Sequence, residues 1–315
     1  MTTASRFVVM NPMRVKAYAQ LVRLPNVFTA WADVGVGAFA AWALASDTPV
    51  KGSAYVWLLL ASTCLYCGGM VFNDYFDYDQ DYKERPHRPL PSGRIPRRQA
   101  LRLGSLLLLG GLIFAGVAGA GTSGFSSLST MIAAFLVVAI LLYDGGMKAT
   151  WAGPLLMGTC RFLNILLGFS PIGISWGIWP GVVVAAYVAG ITWFARTEAK
   201  VSNRTTLKWA TLVILLAIVS ALAVPAIVRD LKPELSPSPF LPYLLVAHGF
   251  FVGIPAYHAI EQPVPSKVQA AVKRAIMGLV ILDAALASAF SGTVGLTLML
   301  LLVPALWLGR RIYST

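Results

Sequence analysis

Carboxylate and amide side chains are concentrated between residues 73 and 81 of the chain. Asn73, Asp77 and Asp81 are spaced four residues apart, so they would form one stripe on a helix, with Asp74 bordering it. Carboxylates stacked in this way repel one another unless a cation lies among them. Mg²⁺ is typically held by one or two carboxylates together with substrate phosphates and water. The spacing therefore predicts a Mg²⁺ site that also binds a phosphorylated substrate.

Three arginines follow the acidic run within the same polar segment. Arg85, Arg88 and Arg94 lie among prolines that restrict the backbone. Guanidinium groups make paired hydrogen bonds to phosphate oxygens. Acidic groups that hold a metal, followed by basic groups that hold phosphate, are what a diphosphate site requires. We therefore predict that these three arginines bind a lipid diphosphate.

Two simpler interpretations of this segment fit less well. It could be an ordinary solvated loop, but five of the 13 acidic residues in the chain fall between positions 74 and 84. Acidic residues gain nothing from the charge bias that governs loops beside a membrane. A calcium-binding loop would need the pattern D-x-[DN]-x-[DN]-G with a terminal Glu, which is absent. A functional acidic site is the better interpretation.

The elements that must position this segment are long apolar helices. Of the 315 residues, 57% are hydrophobic and 12% are charged, whereas an average soluble domain is about 25% charged. Apolar runs of about 20 residues match the hydrocarbon core of a bilayer. We predict an all-α, polytopic transmembrane bundle of nine to ten spans. The spans are placed at 21–45, 54–76, 97–119, 127–144, 151–170, 178–198, 207–228, 240–259, 268–289 and 292–309.

The number of spans depends on the C-terminal apolar stretch. Residues 268–309 are too many for one helical crossing. We divide the stretch at Ser291-Gly292-Thr293, which gives an even number of spans. The whole chain, 1–315, is then one transmembrane domain.

The distribution of Lys and Arg gives the orientation. With a cytoplasmic N-terminus, all 25 except Lys51, Arg229 and Lys232 lie on the cytoplasmic side or within a span, as the positive-inside rule requires. The net charge of +12 is then explained by topology and by anionic lipid headgroups, and no nucleic-acid partner is predicted. The expected location is a bacterial plasma (inner) membrane.

The same orientation assigns the polar segments to the cytoplasm. Residues 1–20 form a cytoplasmic N-terminal segment, and residues 77–96 and 199–206 form cytoplasmic active-site loops. We expect a central cavity that opens near the cytoplasmic side.

Ionisable residues inside a predicted span are candidates for function, because burying them in a membrane is costly. Arg161 and Asn164 lie one turn apart on one span, and Lys148 lies at the inner edge of the same hairpin. Lys148 is predicted to contact the diphosphate, because it lies where a phosphate head would be. Asp283 has no motif around it and is interpreted as structural.

The acidic run and the segment after it resemble a known family. Asn-Asp-x-x-Asp-x-x-x-Asp at the end of a span, followed by Arg-Pro-x-Arg-Pro-x-Pro-Ser-Gly-Arg, is similar to the first signature of the UbiA superfamily of membrane prenyltransferases. The resemblance runs from about residue 20 to 205. It includes Arg23 and Asn26 before the first span, and Tyr143, Asp144, Lys148, Gly153, Pro154, Met157, Gly158, Arg161 and Asn164 in the middle.

This resemblance implies a fold, an activity and further site residues. Members are bundles of typically nine transmembrane helices that transfer an isoprenoid chain from its diphosphate to an aromatic ring or other acceptor, with Mg²⁺. By family position, Arg161 and Asn164 would point into the central cavity, where Arg161 would contact the diphosphate or the acceptor. Asp33 would either contact the acceptor or pair with Arg161. Arg23, Asn26 and Tyr187 are further candidates for the cavity or the acceptor, Tyr187 as part of an aromatic wall.

The family has a second acidic motif of DxxxD spacing, from which this chain departs. The corresponding place reads Arg196-Thr-Glu198-Ala-Lys200-Val-Ser202-Asn203. Glu198 can replace one aspartate, and Ser202 and Asn203 are the remaining candidate metal ligands. Arg196 and Lys200 add positive charge that could bind diphosphate instead. The Ala-Arg-Thr-Glu variant is most similar to the EboC-like branch of the superfamily.

The predicted function is an intramembrane, Mg²⁺-dependent prenyltransferase with Asp77, Asp81 and Glu198 as catalytic acids. Its substrates would be a polyprenyl diphosphate, such as geranylgeranyl diphosphate, and a lipophilic acceptor within the membrane lipids. Because the second acidic motif is altered, a non-catalytic carrier or transporter of lipid diphosphates on the same fold is the alternative. A phosphotransferase of the CDP-alcohol type is excluded by the absence of its D-G-x-x-A-R core.

Overall fold

The computed structural model describes residues 12–44, 52–120, 127–198 and 200–313. Residues 1–11 of the predicted N-terminal segment 1–20 lie outside the described residues. So does Ala199 of the predicted loop 199–206. The described chain is an all-α bundle. Its α-helices, in chain order, are α1 Pro12–Leu21, α2 Val27–Ala43, α3 Gly52–Phe76, α4 Tyr78–Glu84, α5 Arg97–Ala120, α6 Leu128–Asp144, α7 Gly153–Phe169, α8 Ile178–Ala195, α9 Arg204–Ser220, α10 Val224–Leu231, α11 Leu241–Glu261, α12 Pro265–Ser291 and α13 Leu302–Tyr313.

Length and composition mark many of these helices as membrane-spanning. Six helical stretches are long and apolar enough to cross a bilayer, and α6 and α7 are shorter apolar helices. Large apolar side chains cover the outer faces of these helices, for example Phe250 and Ile254 on α11. An exposed apolar surface of this extent suits lipid rather than water. The chain is therefore an integral membrane protein, and the count of nine to ten spans stays a prediction.

The centre of the bundle is α12. Every residue from Gly278 to Ser291 is buried, and a helix that is apolar on all sides belongs in a core. Its neighbours are α2, α8 and α11, so it connects the N-terminal helices to the C-terminal ones. The predicted division of the tail agrees with the structure: α12 ends at Ser291, and Gly292 adopts a positive φ of 61°.

The chain reverses direction at Gly292 and packs back on α12. A 3₁₀ segment over Gly292–Leu301 precedes α13. Gly295 of this segment lies directly against the backbone of Ala287 and Ser288. The C-terminal end then returns to the N-terminal helix, where Gln20 Nε2 donates to the carbonyl of Ile312 at 3.1 Å.

The predicted loop 77–96 is partly helical. α3 ends at Phe76, and α4 covers Tyr78–Glu84. Asp77 lies between them with φ −82° and ψ 4°, so the regular helix is interrupted at this residue. This break decides which members of the acidic stripe reach the site.

Candidate active site

A cavity of about 370 Å³ lies inside the bundle, within the usual range for small-molecule sites. Helices α2, α3, α6, α7, α8 and α12 each contribute residues to its wall. The lining residues run from Ser62 of α3 to Asp77, just after the end of α3, which is about 22 Å at 1.5 Å per residue. The cavity therefore extends from one end of the bundle deep into its interior.

The end of the cavity nearest α4, which we call the mouth, is lined by charged and amide side chains. They come from the turn after α1, the end of α3 and the residue after it, the end of α6, and the segments after α4 and α8. The mouth residues are Arg23, Asn73, Asp77, Arg85, Arg88, Asp144 and Glu198. Five of these were predicted as metal or diphosphate ligands, and Arg23 was predicted to face the cavity.

Asp77 faces the mouth and is paired with Lys148. The Lys148 Nζ lies 2.5 Å from Asp77 Oδ1, and both side chains are about one-fifth exposed. Lys148 belongs to a short 3₁₀ turn, Met147–Ala149, between α6 and α7. The structure thus brings a predicted metal ligand and a predicted phosphate ligand together at the mouth.

Asn73 connects α3 to the N-terminal turn and to α6. Its Oδ1 accepts from Arg23 Nη2 at 3.1 Å, and its Nδ2 donates to Asp144 Oδ1 at 3.0 Å. Arg23 adopts a left-handed conformation with φ 48°, which a non-glycine residue rarely does and which is common at functional sites. The strained turn directs the Arg23 side chain at the end of α3.

Asp144 is a mouth residue that our sequence analysis did not assign to the site. It is the last residue of α6, is buried, and lines the cavity. A signal was present, since an acidic residue ends an apolar span on the same side as the acidic run. The argument applied to residues 74–84 would have selected it.

The structure does not bring Asp74 or Asp81 into the cavity. Asp74 lies 3.3 Å from Arg23 Nη2 and 3.4 Å from Arg88 Nη1, and Asp81 lies 2.6 Å from Arg88 Nη1. Both carboxylates are buried against these arginines. The predicted stripe is divided where the helix is interrupted at Asp77: Asn73 and Asp77 face the mouth, whereas Asp81 holds Arg88 in the loop behind it.

Arg85 and Glu198 join the two polar segments across the mouth. The Arg85 Nη2 lies 3.5 Å from Glu198 Oε1. Arg94 lies outside this arrangement: it is exposed and donates to Ser92, Gln20 and the carbonyl of His87. Two of the three predicted phosphate-binding arginines therefore line the cavity, and Arg94 does not.

Several ligands were predicted in the segment after α8, and of these Glu198 alone lines the mouth. The Ser202 hydroxyl is buried and bonded to Thr197, and the Asn203 side chain caps α9 by accepting from the Thr205 amide. Arg196 donates to the carbonyl of Thr150. These side chains are used in shaping the loop, and Lys200 is exposed beyond the cavity wall.

A second polar group, which we call the deep cluster, lies farther along the cavity. Arg161 and Asn164 of α7 meet Asp33 and Thr29 of α2 and Ser62 of α3. Asp33 therefore pairs with Arg161, one of the two alternatives that the sequence left open. Asn26, the residue directly before α2, also lines the cavity.

Tyr187 is the predicted cavity residue that the structure places elsewhere. Its ring is fully buried, and its hydroxyl donates to the carbonyl of Ala275 at 2.8 Å and lies 3.2 Å from His248 Nε2. α8 instead turns Val188, Ile191 and Thr192 toward the cavity. Tyr187 is one position away from this face, so it does not form the aromatic wall of the cavity that the sequence predicted.

The donor atoms at the mouth suit Mg²⁺ bound together with phosphate. Within the described residues, no cluster of three acidic, histidine or cysteine side chains is close enough to hold a metal alone. Mg²⁺ does not need such a cluster, because it takes one or two carboxylates with substrate phosphates and water. Asn73, Asp77 and Glu198 supply oxygens of this kind at the mouth.

Comparison with known proteins was made at the levels of sequence and fold. Residues 34–272 match the model of the UbiA prenyltransferase family. A digeranylgeranylglyceryl phosphate synthase of Sulfurisphaera tokodaii is 34% identical over 101 residues, 32% of this chain and 35% of the relative. The digeranylgeranylglyceryl phosphate synthase of Metallosphaera sedula is 29% identical over 160 residues, which are 50% of this chain and 51% of the relative. The chain spans about a third to a half of the length of the curated relatives it matches.

Solved structures resemble the whole bundle. A structure described for digeranylgeranylglyceryl phosphate synthase superposes with a TM-score of 0.63 and 18% identity, over 88% of this chain and 99% of that one. A UbiA homologue from Archaeoglobus fulgidus bound to DMAPP and Mg²⁺ superposes with a TM-score of 0.55 and 13% identity. The superposition covers 83% of this chain and 98% of that one. At these identities the likeness concerns the fold.

Proposed function

Because the chain belongs to the UbiA prenyltransferase family, we propose that it transfers an isoprenoid chain inside the membrane from a polyprenyl diphosphate to a lipophilic acceptor, with Mg²⁺. Its curated relatives are named digeranylgeranylglyceryl phosphate synthase, and one neighbour in fold was solved with DMAPP and Mg²⁺. Geranylgeranyl diphosphate is therefore the donor to test first.

One observation carries the proposal: the cavity joins a charged mouth to an apolar interior. Arg85, Arg88 and Asp77 lie at one end, and the wall beyond them is mostly apolar. The apolar wall includes Leu65, Leu136, Ile140, Met157, Val188, Ile191, Val272, Ile276 and Leu279. A polyprenyl diphosphate has the same division into a charged head and an apolar tail.

The chemistry follows from this division. The bond between the allylic carbon and the diphosphate oxygen breaks, and the electron pair leaves with the diphosphate. The acceptor supplies the electron pair of the new bond and then loses a proton, which the released diphosphate can take up. Arg85, Arg88 and Lys148 would stabilise the negative charge that develops on the leaving group. The apolar wall excludes water, which would otherwise capture the allylic cation.

Mg²⁺ would be held by Asn73, Asp77 and Glu198 together with the diphosphate. A bound Mg²⁺ supplies positive charge to the leaving group. Asp77 and Glu198 are now paired with Lys148 and Arg85, so these cations would be freed to contact phosphate when the metal takes the carboxylates. Asp81 acts behind this site by holding Arg88.

The experiment uses the purified full chain in lipid nanodiscs, with labelled geranylgeranyl diphosphate and a membrane lipid extract as the source of acceptors. Wild-type protein should release diphosphate and move label into an extractable product in Mg²⁺ but not in EDTA. We expect Asp77→Ala to lower the rate at least 100-fold, since a lost charge-stabilising contact costs about 10²–10³ in rate. The matched control is Asp79→Ala, an exposed acid two residues away.

The competing outcome is informative. Tight, Mg²⁺-dependent donor binding without product from any acceptor fraction would reject the transferase and favour a lipid-diphosphate carrier. Equal rates in Asp77→Ala and Asp79→Ala would instead reject the assignment of the site.

The same proposal assigns the mouth to the cytoplasmic side of a bacterial plasma membrane, with the N-terminus also cytoplasmic. The supporting observation is the distribution of Lys and Arg, of which only Lys51, Arg229 and Lys232 fall on the predicted outer side. A donor that is made in the cytoplasm would then reach the mouth directly.

A further inference from the structure

The deep cluster joins helices and also presents the Arg161 side chain to the cavity. Arg161 lines the cavity, although its partners Asp33 and Thr29 are fully buried behind it. Arg161 Nη1 donates to Asp33 Oδ2 at 2.9 Å, and Nη2 donates to Thr29 Oγ1 at 2.9 Å. A guanidinium has five N–H donors, and the described residues account for two of them. The remaining donors belong to a group that forms part of the cavity wall.

The Arg161 side chain is fixed before any ligand arrives. Asp33 Oδ2 also accepts from Asn164 Nδ2 at 2.8 Å, and Asn164 Oδ1 accepts from Ser62 Oγ at 2.8 Å. On its other side, the guanidinium carbon lies 5.6 Å from the centre of the Tyr66 ring. Groups held in this way lose little freedom on binding a partner.

The depth of the cluster separates it from the diphosphate. Tyr66 of α3 lies eleven residues before Asp77, which follows the end of α3; this is about 16 Å at 1.5 Å per residue. Between the two lie lining residues that include Gly69 and Met70, with Ile140 of α6. A diphosphate bound by Asp77, Arg85 and Arg88 at the mouth therefore ends well short of Arg161. The group that meets Arg161 belongs to another part of the reactants.

The charge around Arg161 limits what that group can be. Asp33 already balances the guanidinium, and a second buried carboxyl, Asp283 of α12, lies next to Asp33. A further anion would be placed near these acids in a water-poor site, where an uncompensated charge is very costly. A neutral oxygen accepts hydrogen bonds from Arg161 without that cost.

We propose that Arg161, positioned by Asp33 and Thr29, binds a neutral hydroxyl or carbonyl oxygen of the prenyl acceptor and so selects uncharged acceptors over anionic ones. This inference rests on the proposed transferase function. It assigns Arg161 to the acceptor, whereas the sequence left the diphosphate and the acceptor open as its partner. Arg161 is a specificity-determining residue in this scheme, and Asp33 is a positioning residue.

The test measures binding directly, with three small probes that share one ring system. 2-Naphthol carries a neutral hydroxyl, naphthalene carries no oxygen, and 2-naphthoate carries an anion. Affinities are measured by titration into nanodiscs that hold the full chain with Mg²⁺ and the thiodiphosphate analogue of geranylgeranyl diphosphate, after subtraction of empty nanodiscs. Wild-type protein should bind 2-naphthol roughly tenfold more tightly than either other probe, the order expected for one hydrogen bond to a charged donor.

Three variants test the assignment. Arg161→Lys keeps the charge opposite Asp33 but loses the planar fork. The double variant Asp33→Asn with Arg161→Gln removes both charges, so that neither is left buried alone. Both should reduce the preference for 2-naphthol to less than threefold and leave the affinity for the donor analogue within threefold of wild type. The matched control is Thr159→Ala on the same helix, where the hydroxyl bonds only to the carbonyl of Leu155 among the described residues.

Each alternative result contradicts the proposal in a different way. A tenfold loss of donor affinity in both Arg161 variants would return Arg161 to the diphosphate. Tighter binding of 2-naphthoate than of 2-naphthol by wild type would make the subsite anionic, and equal binding of all three probes would reject an oxygen subsite. A failure of the proposed transferase function would be seen in a separate assay, as binding of the donor without labelled product from any acceptor fraction.

Discussion

Arg88 shows how a single side chain can serve both the loop and the site. It lies 2.6 Å from Asp81 and 3.4 Å from Asp74, and it also lines the mouth of the cavity. The sequence predicted Arg88 as a phosphate ligand but gave no sign that two of the predicted metal ligands would be its partners. Its two contacts explain why Asp74 and Asp81 are turned from the cavity.

We predict that Arg88→Gln weakens binding of geranylgeranyl diphosphate in Mg²⁺ by at least tenfold. The variant loses a charged contact to phosphate and leaves the buried Asp81 without its cation. The matched control is Arg94→Gln, because Arg94 is exposed and outside the cavity; its affinity should stay within threefold of wild type. Equilibrium binding of geranylgeranyl diphosphate to nanodiscs measures both affinities. A similar loss of affinity in the two variants would contradict the placement of Arg88 at the mouth and of Arg94 outside it.

At the scale of the helices, the deep cluster depends on a close approach of α2 and α7. Gly37 and Gly168 lie at this crossing, and a Cβ added at Gly168 would be 2.7 Å from the carbonyl oxygen of Val34. Small residues allow membrane helices to pack backbone against backbone. Asp33 is carried by α2, and Arg161 is carried by α7, so the crossing sets their 2.9 Å contact.

We predict that Gly168→Ala destabilises the bundle by about 1–3 kcal/mol, as overpacking of a tight contact does. The added methyl group would push α2 from α7, so the variant should also lose selectivity among acceptor probes. Gly249→Ala on α11 is the matched control, since no atom lies within 4 Å of its added Cβ. Thermal unfolding in detergent compares the two, and an unchanged midpoint for Gly168→Ala would argue against the crossing.

At the scale of the whole molecule, charge and apolar surface agree on one arrangement in the membrane. The charged mouth, the turn at Met147–Ala149 and the segment around Glu198 lie at one end of the bundle. The segment near Ser238 meets α12 at the other end, where its amide donates to the carbonyl of Ser288 at 3.0 Å. The two ends therefore face opposite sides of the bilayer.

We predict that these two ends differ in their access to reagents outside the cell. In a variant whose three native cysteines are replaced by alanine, Glu234→Cys should react with a membrane-impermeant maleimide on intact cells. Lys83→Cys, on the exposed surface of α4, should react only after the cells are opened. Labelling of Lys83→Cys on intact cells would reverse the proposed orientation.

Some of this protein could be predicted from the sequence because it depends on local spacing and composition. The apolar runs gave the membrane-embedded helical class, and Ser291-Gly292 gave the reversal of the tail, since glycine tolerates the positive φ found there. The segment from Asn73 to Arg94 gave the family, which the match over residues 34–272 confirms. The EboC-like placement stays a prediction.

Which predicted residues reach the cavity was decided only by the tertiary structure. A helical stripe assumes one uninterrupted helix, but α3 ends before Asp77, and Asp81 joins Arg88 instead of the mouth. Asp144 enters the site from α6, far from the acidic run in sequence. Contacts between helices of this kind follow from packing in three dimensions. The sequence by itself predicted a charged site for a diphosphate, because residue types and local spacing carry that information, and the fold decided which side chains line the cavity.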